Sequence, residues 1–213
     1  LTPKRKAKFE RTVAHRQFDL TVILENVHDH HNIGAVLRSC DSVGIHEIFV
    51  LYNEPQLQKE YLELGKRTTA GTRKWLDVHY YTDTEACFSA VRERYDHIYA
   101  THLSRSAKSL YDLDLTRRVA LMFGNEMLGL SDEAMQHADG NFIIPQMGMA
   151  ESLNISVACA VSLYEAYRQR ELDGAYDPVD LEQPRRAALL EKYFALHESG
   201  SNRGKIRRKG SKK

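Results

Sequence analysis

Apolar residues in this chain fall into short runs rich in β-branched and aromatic side chains, and between the runs they recur at the spacing of a helix face. The short runs predict strands over 20–26 (LTVILEN), 47–52 (EIFVLY), 76–81, 97–101, 119–123 and 141–144. The intervening spacing predicts helices over 33–43, 55–67, 84–95 and 131–138, then a long one over 153–170. Strands alternating with helical crossovers imply an α/β fold, a parallel sheet with helices on both faces.

The long helix carries Leu153, Ile155, Val157, Ala158, Val161, Leu163, Tyr164 and Tyr167, apolar around most of its circumference. Such a helix needs cover on several sides. A sheet on one face and a second copy of the chain on another would supply it, so a homodimer is expected, with burial inside one chain as the plainer alternative. Beyond Arg170 the composition shifts to Asp173-Gly174-Ala175-Tyr176-Asp177-Pro178, a linker, followed by a short helix over 185–197. Three parts result: a basic extension at 1–17, an α/β domain at 18–172, and a linker, helix and tail at 173–213.

Composition sharpens the picture in one respect. The 213 residues are 42% apolar, enough for one core, and the net charge is only +1. Position matters more than the sum. Residues 1–16 hold six bases against Glu10, residues 203–213 hold seven bases and no acid, and 17–202 are left with 17 bases and 28 acids. Basic ends on an acidic body suit a polyanion such as RNA, or are simply solvated. No run approaches ~18 consecutive apolar residues and the basic start leads into no hydrophobic segment, so a membrane span and a secretory signal are not expected and the chain is expected in the cytoplasm. Cys40, Cys87 and Cys159 are odd in number and far apart, which excludes a disulfide framework.

Candidate chemistry sits in three loops. No G-x-G-x-x-G follows a strand, and neither H-E-x-x-H nor C-x-x-C is present to hold a metal. The segment from Gly124 to Ser131 has the glycine spacing of a P-loop but Leu130 where its lysine belongs, and Glu126 inside it would repel a triphosphate. A loop at the carboxyl end of a parallel strand suits instead a neutral or cationic nucleoside. The loop over 146–154 brings small and polar residues to the start of the long helix, where Ser152 or Asn154 can serve as a cap. In the loop after the first strand, His28, His30 and His31 cannot converge on one metal and are read as loop histidines. Arg38, in an otherwise apolar helix, cannot lose its charge to escape burial and is expected to have an anionic partner.

Together the loops carry N-x-G-A-x-x-R-S at 32–39, F-G-N-E-x-x-G-L-S at 123–131 and I-P-x-x-G-x-x-x-S-L-N-x-S-V-A at 144–158. This pattern resembles the three motifs of the SpoU branch of the SPOUT RNA methyltransferases, in the same order, over roughly residues 18–170. The resemblance implies a deep trefoil knot in the carboxyl-terminal part of the sheet, S-adenosylmethionine held bent within it, and an obligate dimer whose active site draws on both chains. By position, Gly124, Ile144 and Leu153 should line the cofactor pocket, with Thr101 and Met147 nearby. Asn32, Arg38, Glu126, Ser152 and Asn154 match the catalytic-site positions.

Methyl transfer from a sulfonium to a ribose 2′-hydroxyl needs in-line approach and somewhere for the proton to go. The resemblance gives the motif-one arginine a role close to general base, but a guanidinium stays protonated near neutral pH. Arg38 is therefore assigned to holding a phosphate and stabilising the developing alkoxide, with a phosphate oxygen or water as final acceptor. Glu126 is read as a positioning group or as a buried structural carboxylate. No metal is required.

The start of the chain resembles the short basic helix that precedes the catalytic domain of tRNA guanosine 2′-O-methyltransferases acting on the D-loop. Lys4, Arg5, Lys8, Arg11, Arg168, Arg170, Arg203, Arg207 and Arg208 are the expected RNA contacts. The implied activity is 2′-O-methylation of a tRNA D-loop guanosine. The alternatives are the same chemistry on ribosomal RNA, or an RNA-binding protein that kept the fold without catalysis.

Overall fold

The computed structural model describes residues 1–64, 71–104, 106–177, 179–200 and 205–209. In chain order its helices are α1 (Pro3–Ala14), α2 (His30–Ser42), α3 (Thr84–Arg92), α4 (Asp132–Met135), α5 (Ile155–Leu172) and α6 (Pro184–Glu198). Its strands are β1 (Leu20–Glu25), β2 (Glu47–Leu51), β3 (Tyr61–Glu63), β4 (Asp77–Tyr81), β5 (His97–Thr101), β6 (Lys108–Ser109), β7 (Val119–Phe123), β8 (Gly140–Ile143) and β9 (Lys205–Arg207).

Seven strands form one sheet in the order β4-β2-β1-β7-β5-β8-β6, and every pairing in it is parallel. β1, β2 and β7 are buried along their whole length because both faces are covered, whereas β4, β5 and β8 keep partly open positions. Along β1, Leu20, Val22 and Leu24 point into a core shared with α2 and α5, while Ile23 points into a second core with α3 and α4. A third, smaller core joins the two ends of the chain. Phe9 and Val13 of α1 pack on Leu189 and Tyr193 of α6, with Trp75 against them. Arg16 is buried between these parts, donating to Tyr193, to the carbonyl of Ile45 and to Asp41.

One expected helix is absent. The region read as helical over 55–67 is instead a short 3-10 turn at Pro55–Leu57 followed by β3, and residues 65–67 lie outside the described residues. Leu62 and Leu64, two apart, both face the core, which is strand alternation. The partner of β3 is β9, antiparallel, from the basic tail more than 140 positions later. This non-local pairing overrides the local helical spacing. The tail then continues along the sheet's edge strand, Lys209 N–H donating to the carbonyl of Tyr80 at 2.8 Å.

Candidate active site

The crevice lies where β1 and β7 are neighbours but their chains leave in opposite directions, to β2 on one side and β8 on the other. At its floor β1 ends in Glu25 and Asn26. Asn26 adopts φ +50°, a left-handed conformation that asparagine tolerates better than most residues.

The loop after β7 is a tight reversal. Asn125 and Gly129 exchange backbone hydrogen bonds, Asn125 Oδ1 accepts from the amides of Met127 and Leu128, and Gly129 has φ +73°. Gly124 is required for this turn, because a Cβ there would lie 2.3 Å from the backbone of Gly129. The entry of the loop is tied down by Asn125 Nδ2 donating to the carbonyl of Asn26 at 2.9 Å. Its exit is tied by Ser131, whose amide and hydroxyl both donate to the buried Glu25 carboxylate. Asn53 closes the network, donating to Glu25 and accepting from Asn26.

Two helix starts complete the site. Asp29 caps α2, accepting from the His31 amide, which sets Asn32 in the first turn. Asn154 caps α5, accepting from the Ser156 amide. Because α2 and α5 pack side by side, these starts are adjacent. Asn32 Nδ2 donates to Glu126 Oε1 at 2.7 Å, and Asn32 Oδ1 accepts from Asn154 Nδ2 at 3.2 Å. Three of the five expected catalytic residues, one from each motif, are thus joined in a line.

Arg38 and Ser152 stand apart from that line. Arg38 is exposed and makes no hydrogen bond or ion pair among the described residues, so the expectation of a buried guanidinium with an anionic partner is corrected. Ile33, Val36, Leu37 and Cys40 turn inward, and position 38 falls on the opposite side of α2. Ser152 is exposed and does not cap α5; Asn154 does. Glu126 is exposed too, which removes the reading of a buried structural carboxylate. Of the expected cofactor residues, Thr101 donates to the carbonyl of Met122, Ile144 packs against the core, Leu153 is partly open, and Met147 is 95% exposed. Sequence reasoning missed Glu25, Asn26, Asn53 and Asn125. A lone acid and amides closing an otherwise apolar strand were the available signal.

The cationic candidates divide by burial. Lys4, Lys8 and Arg11 are exposed on α1, and Arg11 and His15 face Tyr167 and Tyr176 across a cleft of about 450 Å³. Arg5 is half-buried over the rings of Phe9 and Trp75. Arg168 is exposed and paired with Glu165, Arg207 is exposed on β9, and Arg208 reaches Thr82. Arg203 lies outside the described residues. Arg170 is corrected as an RNA contact. It is 0% exposed, pairs with Asp19, and donates to the carbonyls of Leu115 and Arg117. It locks the end of α5 to the sheet.

The SpoU rRNA methylase family model matches residues 19–164. A tRNA (guanosine(18)-2'-O)-methyltransferase of Thermus thermophilus is 42% identical over 176 residues, 83% of this chain and 88% of that protein. The crystal structure of an A. aeolicus TrmH/SpoU tRNA modifying enzyme superposes with a TM-score of 0.80 at 32% identity, over 93% of this chain and 98% of that one. The SpoU methyltransferase AviRb of Streptomyces viridochromogenes, solved in complex with AdoMet, does so with a TM-score of 0.64 at 28% identity, over 74% of this chain and 62% of that one. On the motif loops gathered at the crevice and on the breadth of these matches, this chain belongs to the SpoU methylase family.

Proposed function

We propose that this chain transfers a methyl group from S-adenosylmethionine to the ribose 2′-hydroxyl of a tRNA D-loop guanosine, the position 18 for which its relatives are named. The observation that carries the reading is the hydrogen-bonded line Glu126–Asn32–Asn154 at the crevice. The residues present fit a sulfonium donor. Loops 124–131 and 144–154 hold the carboxylates Glu126 and Glu151 and no lysine or arginine, and Ile144, Leu153 and Met147 are the apolar side chains the second loop offers a donor. When bound, S-adenosylmethionine supplies a methyl group activated by positive sulfur.

The protein's own groups then do the remaining work. Arg38, free of internal partners among the described residues, takes a phosphate of the RNA and stabilises the alkoxide that develops at the 2′-oxygen. Asn32 and Asn154 hold the sugar in line, Glu126 fixes Asn32, and the exposed Ser152 hydroxyl offers a further hydrogen bond. The proton passes to a phosphate oxygen or to water. Lys4, Lys8, Arg11, Arg168, Arg207 and Arg208 guide the RNA backbone.

The family likeness supports two structural features as part of this reading, a trefoil knot in the segment following β7 and a homodimer. Open apolar side chains favour the dimer: Val157 is 47% exposed and Tyr164 53% on α5, and Met147 and Met149 of the preceding loop are bare. We assign the activity to the cytoplasm, where tRNA is matured.

Labelled methyl donor offered with unmodified tRNA and with ribosomal RNA fragments tests the function. Label in tRNA, mapped to the D-loop guanosine, supports it. Label only in ribosomal RNA moves the substrate, and tight RNA binding with no label anywhere leaves a binding protein without catalysis.

A further inference from the structure

Glu25 is a carboxylate with 0% exposure and, among the described residues, no cationic partner. A charge so placed is costly unless donors surround it. Three do: the Ser131 amide at 2.9 Å, the Ser131 hydroxyl at 2.5 Å and Asn53 Nδ2 at 2.9 Å. Its neighbour Asn26 receives Asn125 Nδ2. Two consecutive residues at the end of β1 therefore hold both ends of the loop whose tip carries Glu126. Ser131 also caps α4, accepting from the Ala134 amide, so the exit of the loop is anchored on two sides.

We propose that Glu25 is a positioning residue for methyl transfer: with Asn26 and Asn53 it clamps the Gly124–Ser131 loop so that Glu126 meets Asn32. Glu25 touches neither donor nor RNA in this scheme and acts only through Glu126. The inference rests on the proposed function for its kinetic consequence, while the clamp itself has a readout independent of activity.

The substitution Glu25→Gln keeps the shape but turns an amide NH2 toward donors. Methyl transfer by that variant is expected to fall at least tenfold in kcat with KM for tRNA nearly unchanged. The same substitution made on Glu126→Ala is expected to cost less than twofold more, since the group it positions is gone. Penalties that multiply would overturn the proposal. Amide hydrogen exchange over residues 125–131 reads the clamp directly, and faster exchange in Glu25→Gln than in the unaltered chain is expected whichever RNA is the substrate. Unchanged exchange also overturns it. Should Glu25→Gln fail to fold, Ser131→Ala removes one donor from the opposite side and is expected to show a smaller loss, again absent on Glu126→Ala. If the unaltered chain methylates no RNA, the functional reading fails while the exchange experiment still decides the clamp.

Discussion

Asn32 Nδ2 donates to Glu126 Oε1 at 2.7 Å, a bond between positions 94 apart in sequence. Its consequence lies in the other half of the same amide. An ionised carboxylate only accepts, so Glu126 takes the NH2 of Asn32 and leaves the oxygen to face Asn154. Glu126 thus sets the flip of Asn32. Replacing Glu126 by glutamine removes that constraint, and single-turnover methyl transfer is expected to slow by roughly ten- to a hundredfold. Asn32→Asp sets two carboxylates face to face and is expected to cost more; an Asn32→Asp enzyme faster than Glu126→Gln would refute the ordering.

Arg38 tests the assignment of charge. Its guanidinium is exposed and, among the described residues, without an internal partner, which leaves it open to an anion of the substrate. Lysine keeps the charge but loses the planar fork that engages phosphate in two bonds. Arg38→Lys is therefore expected to lose most of its activity without loss of thermal stability. Turnover near that of the unaltered chain would remove the assignment.

The extent to which this molecule was legible in sequence follows from what each signal reports. β5 and β7 were placed to the residue: β7 is covered on both faces and is an uninterrupted apolar run, while β5 alternates buried Ile98 and Ala100 with partly open His97, Tyr99 and Thr101. β3 and β9 were not, since three-residue strands exist only through each other and their pairing spans most of the chain. Asn32, Glu126 and Asn154 were named from motifs, but their mutual bonds depend on α2 lying against α5. Arg170 was misread although the clue was present: Cys159, Leu163, Ala166 and Arg170 form one helical stripe at spacings of 4, 3 and 4, and its other members are buried.

Gly124 makes a sharp prediction about the donor site. A methyl group there would sit 2.3 Å from the Gly129 carbonyl carbon and 2.4 Å from the Leu130 nitrogen, and backbone must move to admit it. Gly124→Ala is expected to weaken S-adenosylmethionine binding by tenfold or more in calorimetry while the remaining fold stays intact. Unchanged affinity would separate this loop from the donor.

Burial sorts the cations into two kinds. Replacing the exposed Lys4, Lys8 and Arg11 by alanine is expected to reduce the slope of log K against log salt for RNA by up to about 0.7–0.9 per lost phosphate contact, with melting unchanged. Arg170→Ala leaves the buried carbonyl of Leu115 without this donor and removes the ion pair with the half-exposed Asp19. That change is expected to destabilise by about 1–3 kcal/mol and to leave the salt slope of the folded fraction alone.

Acid should unfold the protein in two stages, and the order follows from two adjacent residues. Burial pushes the pKa of His46 down to about 4. The unfolded chain titrates near ~6.5, so between these values the unfolded state binds a proton that the folded state refuses. Stability is therefore full above about pH 6.5 and falls by up to about 3 kcal/mol as pH drops to 4. Glu47 follows. Burial alone would raise its carboxyl, but the hydrogen bond from His79 and the charges around it, Arg94 among them, outweigh burial and hold it at about 2. Its contribution is present above the ordinary carboxylate range and is lost as pH falls toward 2. Urea midpoints at pH 7.5, 5 and 3.5 should record both losses. In His46→Gln the loss between pH 7.5 and 5 is expected to shrink while the one below 4.5 persists; an unaltered first stage would place the acid-sensitive group elsewhere.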